Sequence, residues 1–149
     1  MTVQPKPLLV FGWGNLSRGD DALGPLCVQA LRERCDGGAN IDYLDDYQLQ
    51  IEHALDLVGR ERVLFVDAGL NCRAPFEVNP LAPCADAIFG SHALTPQGLM
   101  QVFREFSGED APACTLLQIR GERFGLAQPP SRAALEHLAA ALQWASSWP

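Results

Sequence analysis

Leu8-Leu9-Val10-Phe11-Gly12-Trp13-Gly14-Asn15-Leu16-Ser17-Arg18-Gly19-Asp20-Asp21-Ala22-Leu23-Gly24 is the stretch that decides how the rest of the chain is read. Leu8 to Phe11 is a short continuous apolar run, the pattern of a strand buried on both faces. The glycines and Asn15 then signal a turn. Beyond it Leu23, Leu26, Cys27, Ala30 and Leu31 recur at helical spacing, which predicts a helix from about Asp21 to Arg34, ending before Gly37-Gly38. The segment is therefore a strand-to-helix turn carrying two adjacent carboxylates, Asp20 and Asp21.

The same rhythm continues outward. Ile41-Asp42-Tyr43-Leu44 is a second strand, and Ile51, Ala54, Leu55 and Val58 mark a short second helix closed by Gly59. Val63-Leu64-Phe65-Val66 is a third strand ending at Asp67. Phe76-Glu77-Val78-Asn79 alternates between prolines and reads as a short edge strand, for which an antiparallel direction is open. A third helix begins near Pro96 and carries Leu99, Val102, Phe103 and Phe106. Thr115 to Ile119 is the last strand, and a final helix follows Pro129-Pro130 with Ser131 as its N-cap. Buried strands alternating with helices predict an α/β fold: a twisted, mostly parallel sheet sandwiched by helices.

The chain has 149 residues, which predicts one domain over 1–149. Hydrophobic residues make up 48% and charged residues 19%, a globular balance. No apolar run approaches the roughly 18–20 residues that cross a bilayer, and the first seven residues lack a signal-peptide core. A cytoplasmic protein without a membrane partner is expected. Net charge is −7 and no basic stripe occurs, so nucleic acid is not an expected partner. The five cysteines are widely spaced without a Cys-x-x-Cys, which predicts reduced thiols and not a zinc knuckle or disulfide framework.

Ligands of parallel α/β sheets bind beyond the carboxyl ends of the strands. That directs attention to Asn15–Asp21, Asp45-Asp46, Asp67, the stretch around His92, and Arg120–Glu122. A dinucleotide reading of Gly12-Trp13-Gly14 fails because Ser17 stands where the third glycine belongs and two acids occupy the phosphate position. Either Asp20 or Asp21 has the alternative of a helix cap, and Asp67 that of capping the next turn. His53 reads as structural filling and His137 as a solvated surface side chain. Asp21, Asp67 and His92 together offer two oxygens and one imidazole nitrogen, a mixed set that suits nickel or zinc with positions left open. No Gly-x-Ser-x-Gly elbow, triad signal or His-Glu-x-x-His occurs.

The segment Gly12 to Gly24 resembles the opening signature of the nickel–iron hydrogenase maturation endopeptidases, G-[VI]-G-N, a short spacer, then D-[ED]-x-x-G. The likeness continues at Leu64-Phe65-Val66-Asp67-Ala68, at Ser91-His92-Ala93-Leu94, and through the last strand and helix. The resemblance implies a five-stranded, mostly parallel sheet. It also implies an enzyme that removes the C-terminal extension of a hydrogenase large-subunit precursor after nickel insertion. On that resemblance Asp21, Asp67 and His92 are the catalytic and metal-contacting residues, with nickel supplied by the substrate. Gly12, Gly14, Asn15, Asp20 and Gly24 form the supporting turn. Asp45, Arg120 and Glu122 are candidate substrate contacts. The enzyme is expected to be a monomer.

Three departures stand out. Asp21 occupies a place where Glu is frequent, Trp13 replaces a small aliphatic residue, and Asp45-Asp46-Tyr47-Gln48 replaces the usual Asp-Gly-Gly-Thr. The version resembles the branch serving cytoplasmic NAD(P)-linked hydrogenases. Two other readings stand beside the protease: a docking or chaperone partner that does not cut, and a small-molecule α/β hydrolase.

Overall fold

The computed structural model describes residues 4–35, 40–84 and 94–149. Its elements, in chain order, are β1 (Leu8–Trp13), a 3-10 turn (Gly19–Ala22), α1 (Leu23–Cys35), β2 (Ile41–Asp46), a second 3-10 helix (Ile51–Leu57), β3 (Arg62–Gly69), β4 (Phe76–Pro80), α2 (Pro96–Ser107), β5 (Ala113–Arg120) and α3 (Arg132–Ala145). The five strands form one sheet in the order β2-β1-β3-β5-β4. β1 pairs in parallel with β2 and β3, and β3 with β5. Among the described strands β4 alone runs antiparallel, against β5, at the edge position expected for Phe76–Asn79 and in the direction the sequence left open.

Alternation along the strands divides the core into two layers. Val10, Leu64, Val66, Leu117 and Ile119 face α1 and α3 and meet Leu23, Cys27, Leu31, Leu138 and Leu142. Leu9, Phe11, Val63 and Phe65 point the other way, onto Ala54, Leu57, Leu99, Met100 and Phe103. Covering on both faces explains why β1 and β3 read as continuous apolar runs. Among the described residues no helix is long and apolar enough to cross a membrane. Cys27, Cys72, Cys84 and Cys114 are free thiols, and burial pushes Cys27 and Cys114 up to about 12.

The boundaries depart from the sequence expectation in three places. The helix expected from Asp21 opens instead as a 3-10 turn at Gly19, and the α-helix starts at Leu23. The second helix is 3-10, because its three-residue repeat buries Ala54 and Leu57 and leaves Ile51, Leu55 and Val58 exposed. β3 continues past Val66 to Gly69, so Asp67 lies inside a strand and pairs with Gln118. It sits one residue beyond the last β1–β3 pair, Gly12–Val66, where the sheet opens on one side.

The ends of α1 and α2 show how local sequence sets these limits. Thr95 caps α2, its hydroxyl accepting from the Gly98 N–H at 3.0 Å, and Pro96 stands in the first turn. α1 starts directly against the sheet: a Cβ on Gly24 would lie 2.4 Å from the Trp13 carbonyl oxygen and 2.7 Å from that of Val66. Neither backbone atom can move without shifting a strand. Gly24→Ala is therefore expected to cost about 1–3 kcal/mol or more of folding stability, read from the midpoint of a denaturant titration; an unchanged midpoint would contradict this close packing.

Candidate active site

Because β1, β2, β3 and β5 are mutually parallel, the loops that leave their carboxyl ends gather at one edge of the sheet. The β1–α1 turn occupies the centre of that edge. Gly14 has φ of 153°, and a Cβ there would fall 1.9 Å from the Asp21 carbonyl oxygen, so the turn closes only around glycine. Its N–H donates to the Asp46 carbonyl at 3.1 Å, joining the turn to the end of β2.

The two adjacent acids of the turn have different environments. Asp20 is fully buried. Its carboxylate accepts the N–H groups of Glu122, Arg123 and Ser131 and the Ser131 hydroxyl. Burial opposes ionisation, but the hydrogen bonds from Ser131, Arg123 and Glu122 outweigh it and hold the carboxyl below its ordinary value. Asp20 thus does not cap its own helix. It ties the turn to the β5–α3 loop, while Ser131 caps α3 by accepting from the Ala134 N–H.

Asp21, half-buried, faces a cleft. One oxygen accepts the Asn15 N–H at 2.8 Å. The cleft, about 390 Å³, is lined by Trp13, Gly14, Asn15, Arg18, Asp21, Tyr47, Gln48, Asp67 and Ala68. Asp67 accepts the Ala68 N–H at 2.8 Å. Burial first, and then the negative charge of Asp21, raise the Asp67 carboxyl to about 7, against the pull of the Ala68 hydrogen bond. Asp67 therefore exchanges a proton near neutrality, a property suited to general acid–base work.

The structure brings Asp21 and Asp67 into one cleft, and His92 lies outside the described residues. Asp45 lines an adjacent cleft of about 420 Å³ with Gly14, Leu16, Gln29, Asp46 and Tyr47, and its carboxylate lies 3.9 Å from Arg32. Arg120 and Glu122 line neither cleft. Arg120 donates to the Cys72 carbonyl at 2.9 Å, and its Nε, which is buried without a hydrogen-bond partner, lies 3.5 Å from Glu122. A larger depression, about 460 Å³, lies near Lys6 at the amino-terminal side of β1 and β2, but its Asp42 is bound by Arg60 and the Lys6 N–H. It therefore lacks the paired acids of the Asp21–Asp67 cleft.

His137 is half-buried, with Nδ1 2.9 Å from the Arg120 carbonyl, which corrects the expectation of a solvated side chain. His53 is structural as expected. Its Nδ1 accepts the Gln50 N–H at 2.9 Å, so the proton sits on Nε2 and is donated to Asp46 at 3.0 Å. This pair holds the 46–50 segment, with Leu49 buried as its anchor, and presents Tyr47 and Gln48 to the cleft. Sequence reasoning singled out neither as a cleft residue. The departure at Asp45-Asp46-Tyr47-Gln48 was their only signal.

Among the described residues no three His, Cys, Asp or Glu side chains are grouped to hold a metal ion. One oxygen each of Asp21 and Asp67 has no hydrogen-bond partner among the described residues. The pair therefore fits a cation as a partial oxygen shell, too small to close around one alone.

No protein-family model and no curated protein matches the sequence. The fold is that of a known α/β class with one antiparallel edge strand, and several solved structures share it. The [NiFe] hydrogenase maturation protease HycI from Thermococcus kodakarensis KOD1 superposes with a TM-score of 0.73 at 21% identity, over 95% of this chain and 90% of that one. The hydrogenase 2 maturation peptidase from Thaumarchaeota archaeon SCGC_AB-539-E09 gives 0.67 at 23% identity, over 93% and 95%. The hydrogenase maturating endopeptidase HybD from E. coli gives 0.66 at 19% identity, over 92% and 88%. At these identities the likeness establishes the fold.

Two measurements test the assignment of roles to the acids. Asp20→Ala strands three buried N–H donors and is expected to cost about 3 kcal/mol or more. Because the Asp20 carboxyl is depressed, its contribution persists above the ordinary carboxylate value, about 3.9, and is lost only at more acid pH. Asp67 has the opposite sign. Its raised value favours the folded state fully below that ordinary value, and the benefit disappears as pH rises through about 7. In metal-free protein, the Tm of Asp67→Asn relative to the parent chain should thus climb between about pH 4 and about pH 7 and level off above. A constant difference would contradict a buried, destabilised carboxylate.

Proposed function

We propose that the chain is an endopeptidase that removes the C-terminal extension of a nickel–iron hydrogenase large-subunit precursor after nickel has been inserted. The observation that carries this reading is the meeting of Asp21 and Asp67 in one cleft at the carboxyl edge of the sheet. It is supported by the shared fold of three structures named as hydrogenase maturation proteases or peptidases. The cleft is open, which suits an extended protein segment better than an enclosed small molecule. That favours the protease over a small-molecule hydrolase.

In this reading nickel arrives with the substrate. Asp21 and Asp67, with His92 as third ligand on the sequence resemblance, would complete the shell of an ion already held by the precursor, so cutting would wait for metal insertion. Nickel would there either polarise the scissile carbonyl or the attacking water, or serve as a recognition handle only. Asp21, oriented by the Asn15 N–H, contributes one fixed oxygen. Asp67, raised by burial in the metal-free cleft, would give up its proton as the ion arrives and supply the second oxygen. Arg18, on the wall of the same cleft, offsets part of the negative charge. A monomer working in the cytoplasm on an NAD(P)-linked hydrogenase is the setting that the sequence resemblance supports.

The test is to incubate the protein with apo and nickel-loaded precursor and weigh the products. Only the nickel-loaded form should lose its extension, and equal cleavage of the apo form would overturn the gating. Asp21→Asn should lower the cleavage rate by about a hundredfold or more while precursor binding persists. Binding by the parent chain without any cleavage would favour the non-cutting docking partner.

A further inference from the structure

Large apolar side chains left in water are concentrated around the cleft. Leu16, Tyr47, Ile51, Leu70 and Leu126 are each more than half exposed. They stand on the segments that follow β1, β2, β3 and β5, the four strands whose carboxyl ends share one edge. Tyr47 is a wall common to both clefts, and Leu16 lines the adjacent one that holds Asp45. Isolated exposed leucines need no explanation, but an apolar rim around a polar cleft is the pattern of an interaction site.

The rim is also preorganised. The Gly14 N–H to Asp46 carbonyl bond joins the first two segments. The Ala127 N–H donates to the Ser17 carbonyl, and Gly19 to the Gln128 carbonyl, fixing Leu126 beside the β1–α1 turn. The Gly121 N–H donates to the Gly69 carbonyl, next to Leu70. Backbone segments held in place before contact lose little freedom on binding.

We infer that this rim docks the folded body of the precursor, through a surface that is apolar at its margin and cationic at its centre. The inference rests on the function proposed above and adds that recognition extends beyond the tail in the cleft. Charge selects this occupant over a second copy of the chain. An isologous pairing on this face would set the Asp21–Asp67 clefts of two molecules of net charge −7 against each other, with Arg18 the one basic residue lining each among the described residues.

The experiment compares the parent chain with the double variant Leu70→Gln/Leu126→Gln, neither of whose residues lines the cleft, and with Phe106→Gln on α2 as control. Steady-state cleavage of nickel-loaded precursor and direct binding are both measured. The double variant should raise KM and Kd about tenfold with kcat within about twofold, and Phe106→Gln should change neither. Unchanged KM and Kd in the double variant overturn the inference. So does a dimer of the parent chain that the double variant dissolves. If the parent chain binds precursor without cutting it and the double variant weakens that binding, the docking surface stands and the protease reading falls. Absence of both binding and cutting overturns both.

Discussion

One buried carboxylate organises the working edge of this molecule. Asp20 has no exposure to solvent, yet it remains an anion because four donors converge on it. Two of them belong to Ser131, 111 residues away, and two to the loop after β5. A buried charge without such donors would be strongly destabilising. The β1–α1 turn, the β5–α3 loop and the start of α3 are therefore parts of one arrangement. The Ser131 side chain makes the link explicit, since its oxygen donates to Asp20 and accepts from Ala134 at the first turn of α3.

Much of the fold was legible because burial on both faces leaves a strong trace. Leu8–Phe11 and Val63–Val66 read as interior strands, and the prolines around Phe76–Asn79 marked an edge. What was less legible were limits set by neighbours. Asp67 reads as the end of a strand because the apolar run stops at Val66, but pairing with β5 carries β3 on to Gly69 after β1 has ended. The Ile51–Leu57 helix reads as α-helical from its apolar residues, but only two of its side chains, Ala54 and Leu57, are buried, and a three-residue repeat suffices to bury them.

The gathering of Asp21 and Asp67 at one edge was legible by position, whereas placing Asp20 in the supporting turn and Asp21 at the candidate site came from the family resemblance. By themselves, adjacent aspartates before a helix carry no sign of which is buried or open. That depends on donors at Glu122, Arg123 and Ser131, far along the chain. His137 shows the same limit: its neighbours in sequence are charged and small, while its ring nitrogen meets the Arg120 carbonyl at the end of β5. Tyr47 and Gln48 enter the cleft because His53 and Leu49 hold their segment, a contact that no periodicity encodes.

The unequal supply of donors explains why the three carboxylates of this edge differ. Asp20 takes three of the backbone N–H groups available near the turn, together with the Ser131 hydroxyl. Asp21 is left with the Asn15 N–H, and Asp67 with that of Ala68. Full satisfaction makes the first carboxylate a fixed structural anion. With one N–H to offset it, burial first and then the charge of Asp21 raise Asp67 to about 7. The same short turn thus produces a stable anion and an unsatisfied one from consecutive residues, and only the second faces the cleft.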